Sequence, residues 1–385
     1  MGVISRAIPT LLRGISQSSD ALKQADHADI QDNADSNPVL GLTKRSGSQY
    51  LAKIINNAFL DNVHIQTINR DTNEQYVAIF SNGNVRVFEL DGTELTVNKP
   101  DGTTYLNTSN PRSVFKTVTI ADFTFVVNTS ITTAMDSAVS NSANNITQAI
   151  IFINQATSKT TYSVTVDGVT VTDDTTGNDP LSTTTVATDL QGGLNSGLTG
   201  FTIARNGPVI HIKKNDGSDF SIDGNDSQGN TKMTIIKDSV QQFTDLPNVS
   251  PNGYVVEIKG DESTDFDNYY VKFTTNNGNA FEEGQWSETV EAGIPFKFDY
   301  STMPHVLIRQ ADGNFRFARV DGDSYNVTVN GVTSSYTLPK WGERIVGDLV
   351  SAPDPSFIGN KINNVFFFRN RLGFLAADNV ILSTV

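Results

Sequence analysis

Four histidines are the natural place to look for acid–base or metal chemistry, and the chain has only His27, His64, His211 and His305. None stands within metal-ligand spacing of another, so each reads as a strand-face or surface residue, not as a ligand or base. Two acidic groups offer other chemistry. Asp223-Gly-Asn-Asp226 has some of the look of a calcium loop, yet it lacks the alternating oxygen ligands and the distal bidentate Glu, so a plain turn is the better reading. Asp261, Glu262, Asp265 and Asp267 could hold a carboxylate pair of the glycosidase kind, but a solvated loop between strands explains them as well. There is no phosphate loop and no nucleophile elbow. A dispersed Ser-His-Asp triad finds no support above chance. Lys44, Arg45, Arg309, Arg316, Arg319, Arg369 and Arg371 are scattered among strands and turns, a pattern of salt bridges or interface contacts more than of a DNA-reading patch. The pattern shows no catalytic site, no metal and no cofactor.

The elements that would position these residues are mostly strands. The 385 residues are 37% hydrophobic and 18% charged, and the polar surplus lies in Thr, Asn, Ser and 29 glycines, which favour turns and solvated strand faces. Alternating runs occur at Val63–Asn69, Gln75–Ser81, Asn84–Leu90, Val114–Ile120 and Phe123–Asn128. Asn82-Gly83 between two of them predicts a hairpin with both residues at positive φ. Asn206-Gly207 predicts another, between Phe201–Ala204 and Val209–Lys213. Ser19 or Asp20 could cap a short helix through Ala28. A second helix is predicted behind Thr183–Thr185, from the fourfold spacing of Val186, Leu190 and Leu194, although Gly192 and Gly193 weaken it. The fold class expected is mainly β: a propeller-like core of short antiparallel hairpins with a small α+β domain inserted. The expected divisions are an N-terminal arm over 1–50, β core over 51–130, the insertion over 131–244, and more β core over 245–385. Val385 falls at the edge of a strand without a closing turn, which suggests that the chain continues beyond it.

A net charge of −14 argues against sequence-reading or counterion-releasing contact with nucleic acid. It fits a wall that a duplex slides past, and equally an ordinary acidic protein. With no cysteine, disulfides and thiolate metal sites are excluded. Arg6 and Pro9 break the N-terminal apolar stretch, so it is not a secretory signal, and no apolar run reaches membrane-spanning length.

Several segments resemble the tail tubular protein B, or nozzle, family of short-tailed bacteriophages. They are Gly14–Leu22 with Gly41-Leu-Thr-Lys-Arg45; Ile68-Asn-Arg-Asp71, Glu74-Gln-Tyr76 and Val85-Arg-Val-Phe88; Asn110-Pro111-Arg112 with Val118–Asn128, which contains Asp122; and Met303-Pro-His305 with Arg309 and Ala311–Phe315. The most specific is Asn364–Phe374, which contains Phe366, Phe367, Phe368, Arg369, Asn370, Arg371, Leu372, Gly373 and Phe374. Ser18-Ser19 and Ser46-Gly47 depart from the family pattern, and residues 131–244 diverge most. The resemblance implies a structural virion protein, assembled in the host cytoplasm, that forms a sixfold ring at the distal end of the tail. The ring would sit below one of tail tubular protein A, with tail fibres near the junction and the host surface beyond. It would retain the genome and then pass double-stranded DNA without sequence preference. The alternative is a host-surface carbohydrate-binding or depolymerising tail protein, for which Trp286 and Trp341 would have to form an exposed platform.

Overall fold

The computed structural model describes residues 4–5, 11–54, 62–140, 146–177, 181–260 and 268–384. The acidic cluster at 261–267 lies outside the described residues. The chain divides into two compact units, Met1–Ile54 and Ile55–Val385.

The first unit holds one hairpin, β1 (Ala34–Asn37) and β2 (Gly41–Lys44), paired from Ala34↔Lys44 to Asn37↔Gly41. Ile15 makes a parallel bridge with Ala28. The helix expected after Ser19 does not form. The amides of Leu22 and Lys23 bond the Ser19 carbonyl, and the turn ends there because the chain pairs back at Ala28. A helix this short has too few internal bonds to offset its nucleation cost.

In the second unit, β3 (His64–Asn69), β4 (Gln75–Ser81), β5 (Asn84–Glu89) and β6 (Glu94–Leu95) form an antiparallel sheet in that order. The Asn82-Gly83 hairpin is present, but only Gly83 has positive φ. The tip is instead docked on the following segment: Gly83 N–H donates to the Leu106 carbonyl and Asn82 Oδ1 accepts from Thr108 N–H. Then come β7 (Val97–Asn98), the one-turn helix α1 (Pro111–Val114), β8 (Phe115–Ile120) and β9 (Phe123–Asn128).

The next stretch carries β10 (Gln148–Ile153), β11 (Thr161–Val166), β12 (Val169–Asp174), the helix α2 (Thr183–Gly197), β13 (Phe201–Asn206), β14 (Val209–Lys214), β15 (Ile222–Asn225) and β16 (Met233–Ile236). They make a sheet β13-β14-β10-β16 and a sheet β12-β11-β15. Ser182 caps α2 by accepting from Thr185 N–H at 3.0 Å. Val186, Ala187, Leu190 and Leu194 bury its inner face against Ile151, Tyr162, Val164 and Ile212. The β13–β14 turn is not at Asn206-Gly207 as expected, because Asn206 still pairs with Val209. Gly207 (φ 56°) and Pro208 occupy the tip instead, the glycine supplying a φ that proline cannot.

On the other side of β10 and β14 lies a third sheet: β17 (Ser239–Val240), β18 (Val249–Pro251), β19 (Val255–Ile258), β20 (Tyr269–Thr275) and β21 (Phe281–Thr289), ordered β17-β19-β20-β21-β18. Its Tyr254, Val256 and Phe273 share a core with Ile150, Val209 and Ile236.

The chain then returns to the first sandwich. β22 (His305–Arg309) pairs antiparallel with β9, and β23 (Phe315–Ala318) pairs with β22 and, in parallel, with β7. The resulting sheet, β7-β23-β22-β9-β8, faces the β3–β6 sheet across Phe80, Val85, Leu106, Phe115, Val126, Leu307 and Phe317. Residues 129–304 therefore fill the position of a loop between two neighbouring antiparallel strands, with bridges Met135↔Phe298 and Val139↔Pro295 extending the stem. Last come the outlying hairpin β24 (Ser324–Val329) and β25 (Val332–Thr337), and the sheet β26 (Ile362–Phe368), β27 (Arg371–Ala376) and β28 (Asn379–Leu382). The protein is mainly β with an inserted α+β part. Its described sheets pack in pairs through shared cores, and no closed propeller is present among the described residues.

Candidate functional site

The residues that carry chemistry serve the fold. His305 is buried and lies flat between Tyr105 (ring centroids 3.9 Å) and Phe317 (5.5 Å). Its Nδ1 stands 2.9 Å from the Met303 carbonyl and so carries the proton of a neutral ring. Burial lowers its pKa to about 4, and the nearby Arg319 works in the same direction. His211 is likewise lowered to about 4, by burial and then by Lys213, and its Nε2 meets Gln148 Oε1 at 3.1 Å. His64 Nε2 meets Thr117 Oγ1 at 2.8 Å, and His27 belongs to the separate N-terminal unit. No group of metal-ligating side chains assembles among the described residues.

The Asp223–Asp226 segment is a turn held by its own carboxylate. Asp226 is fully buried and accepts from the backbone N–H groups of Gln228 (2.8 Å), Asn230 (2.7 Å) and Lys232. Burial alone would raise its pKa, but these donors outweigh burial and hold it below the usual carboxylate range. Neither tryptophan forms an exposed platform. Trp286 packs edge-on against Phe273 and donates to the Pro247 carbonyl at 2.8 Å. Trp341 is wedged among Phe125 and Phe374. The polar groove beside β5 and β6 is already internally neutralised, with Arg86 in a two-pronged pair with Glu94 and Lys99 on Asn84 Oδ1.

Motif residues distant in sequence meet at one corner of the first sandwich. The β3–β4 turn is closed by Asp71 Oδ1, which accepts from Asn73 and Glu74 N–H at 2.7 and 2.8 Å. That turn presents Arg70 and Glu74, which pair with each other. Arg70 Nε also reaches Asp122 at 2.8 Å in the β8–β9 turn. Arg309, at the end of β22, pairs with Glu74 at 2.7 Å and bonds the Asp122 carbonyl through its backbone N–H at 3.0 Å. The four side chains thus clamp one sheet to the other. The hydrogen bond from Glu74 and the charge of Asp122 raise the Arg70 pKa further, so the clamp keeps its cations at any ordinary pH.

A second lock sits beneath it. Asn128 donates its backbone N–H to Tyr105 Oη (3.0 Å) and its carboxamide to the Tyr105 carbonyl (2.8 Å). Nothing in the spacing around Tyr105 singles it out; the only signal is an Asn ending an apolar strand. Asn110 and Pro111 start α1, whose Ser113 and Val114 amides bond the Asn110 carbonyl, while Arg112 is exposed.

The Phe366–Phe374 segment is the β26–β27 hairpin, apart from that corner. Arg369 and Asn370 form its tip at φ 48° and 60°, and Arg371 pairs back with Phe368. The Phe366 ring lies directly on Gly373, so close that a Cβ there would stand 2.3 Å from it. Leu372 and Phe374 bury on the inner side with Trp341 and Phe357, against Phe125 and Val127 of β9. Phe367 and Phe368 face outward, 43% and 55% exposed, with Arg369 over the Phe368 ring.

Every recognisable motif residue with a described role braces strands or shapes a turn, and that defines a scaffold protein. The chain belongs to the bacteriophage nozzle protein family, which it matches over residues 1–385. It is 33% identical over 394 aligned positions to the tail tubular protein gp12 of Escherichia phage T7, an alignment covering 100% of this chain and 46% of that protein. The chain thus spans about half the length of the curated relative it matches.

Proposed function

We propose that this chain forms part of the wall of a phage tail nozzle: a ring, six copies around, at the distal end of a short tail. The ring sits below a tail tubular protein A ring, with tail fibres docking near the junction. It holds back the genome and then passes the duplex during ejection at the host surface. It has no catalytic step of its own. The observation that carries this reading is the family match along the whole chain. The net charge of −14 supports a surface that DNA slides past without binding, and we take acidic side chains to line part of the lumen. The 131–244 region, where the family resemblance is weakest, is taken to project outward. Negative-stain electron microscopy of the full-length protein mixed with its adaptor ring tests the reading. Sixfold rings stacked on the adaptor are expected. A full-length chain that stays monomeric in that mixture overturns it.

A further inference from the structure

The first unit has no core of its own. Among its described residues none is fully buried, and its large apolar side chains stand open to solvent: Leu22 and Ile30 at 78%, Val39 at 89%, Leu40 at 72%, Tyr50 at 79% and Leu51 at 61%. A unit of this size cannot offset its chain entropy without apolar burial, and a monomer surface rarely carries so many large apolar groups together. The exposure is built in at the hairpin tip. Asn37 Oδ1 accepts from the amides of Val39 (2.8 Å) and Leu40 (3.1 Å), which fixes a turn that points both side chains outward.

Charge indicates what covers it. Residues 1–54 hold six Lys/Arg against five Asp/Glu, a net charge of +1, which leaves −15 for residues 55–385. Within the unit Arg13 pairs with Asp26 and Lys23 with Asp29, so the cations left over are Lys44, Arg45 and Lys53. A nucleic-acid partner would need more basic charge than this. A strongly acidic surface that exists in several copies around a ring is the complementary partner on the page.

We propose that residues 11–54 are an exchange arm, whose Val39–Leu40 tip inserts into the 55–385 body of a neighbouring copy in the ring and links the copies in sequence. The proposal rests on the ring reading above. The absence of cysteine makes a clean test possible. In the full-length protein, Leu40→Cys carries a benzophenone photocrosslinker, with Thr333→Cys on the exposed strand β25 as control. Rings are assembled from a mixture of light and isotopically heavy copies, their mass is read by mass photometry, and crosslinked peptides are read by mass spectrometry. Expected are rings in which light arms are joined to heavy bodies. Rings whose arms crosslink only to their own copy's body, only to an added adaptor ring, or to nothing overturn the arm proposal and leave the ring reading standing. A protein that is monomeric by mass removes the ring reading, and the arm with it. Independently, Val39→Asp with Leu40→Asp is expected to raise the concentration for half-assembly at least about tenfold while the thermal melt of the body is unchanged, since two buried aliphatic side chains are lost. Unchanged assembly would overturn the proposal.

Discussion

Gly373 shows what a single residue can contribute here. Its neighbour across the hairpin, Phe366, uses the missing side chain as a seat. Gly373→Ala places a methyl group inside that ring's van der Waals surface and is expected to cost about 1–3 kcal/mol. Phe366→Ala in the same chain should recover part of that cost, a coupling that a double-mutant cycle in urea would read. The histidines make a second statement at this scale. His305 and His211 have folded pKa values of about 4 against 6.5 for a free imidazole. Between those values the unfolded chain takes up protons that the folded chain refuses, so their contribution is complete above pH 6.5 and is lost as pH falls toward 4. Asp226, held below its usual range, adds a further loss only when pH drops through the carboxylate range. The melting temperature should fall by about 5 °C between pH 7 and 5, and His305→Gln should remove roughly half of that fall. The sequence identified these histidines as non-ligands, but it could not show that one lies flat between Tyr105 and Phe317, because those partners come from distant strands.

Element by element, hairpins were the legible part, since alternation and turn residues are local signals. The turns themselves shifted wherever another segment competed for them. The Asn82-Gly83 tip is docked on residues 106–108, and proline moved the β13–β14 tip by one residue. Helix α2 illustrates the opposite case. Gly192 and Gly193 read as weaknesses, yet the helix runs through both to Gly197. Gly193 is where β12 comes closest, and a Cβ there would stand 2.3 Å from Val171 Cγ1; nothing lies within 4 Å of one at Gly192. The two adjacent glycines should therefore respond to alanine with opposite signs. Gly192→Ala should gain about 0.5–1 kcal/mol from helix propensity, and Gly193→Ala should lose about 1 kcal/mol or more because the β-branched Val171 has little room to turn. Chemical denaturation of both variants side by side decides it; equal gains would mean that the helix can shift away from the sheet. The strand at Met233–Ile236 and the exposed strand β25 carry no clear alternation and were not foreseen.

At the scale of the molecule, the sheet β7-β23-β22-β9-β8 draws its strands from residues 97 to 318, with the whole α+β region threaded between β9 and β22. No local pattern announces such a pairing, which is why the sandwich could be read as strands but not as a topology. It also makes completion late. Val126, Phe115 and Leu106 lack their cover until Leu307 and Phe317 arrive, and long-range pairing of this kind folds slowly and exposes edges on the way. A chain ending at residue 300 is expected to collect in the insoluble fraction at the expression temperature, while residues 1–385 stay soluble. A soluble truncated chain with native-like amide protection in β8 and β9 would show that the core forms without its central strand.

Because residues 129–304 leave and re-enter on neighbouring strands, their two ends lie about one strand spacing apart. That makes the region a cassette: another domain whose termini lie close together could take its place without a new crossing in the sandwich or a change in its register. Recombination among phages could then trade the contents of this position freely while the clamp at Arg70, Glu74, Asp122 and Arg309 stays put. It also marks where a foreign domain could be grafted.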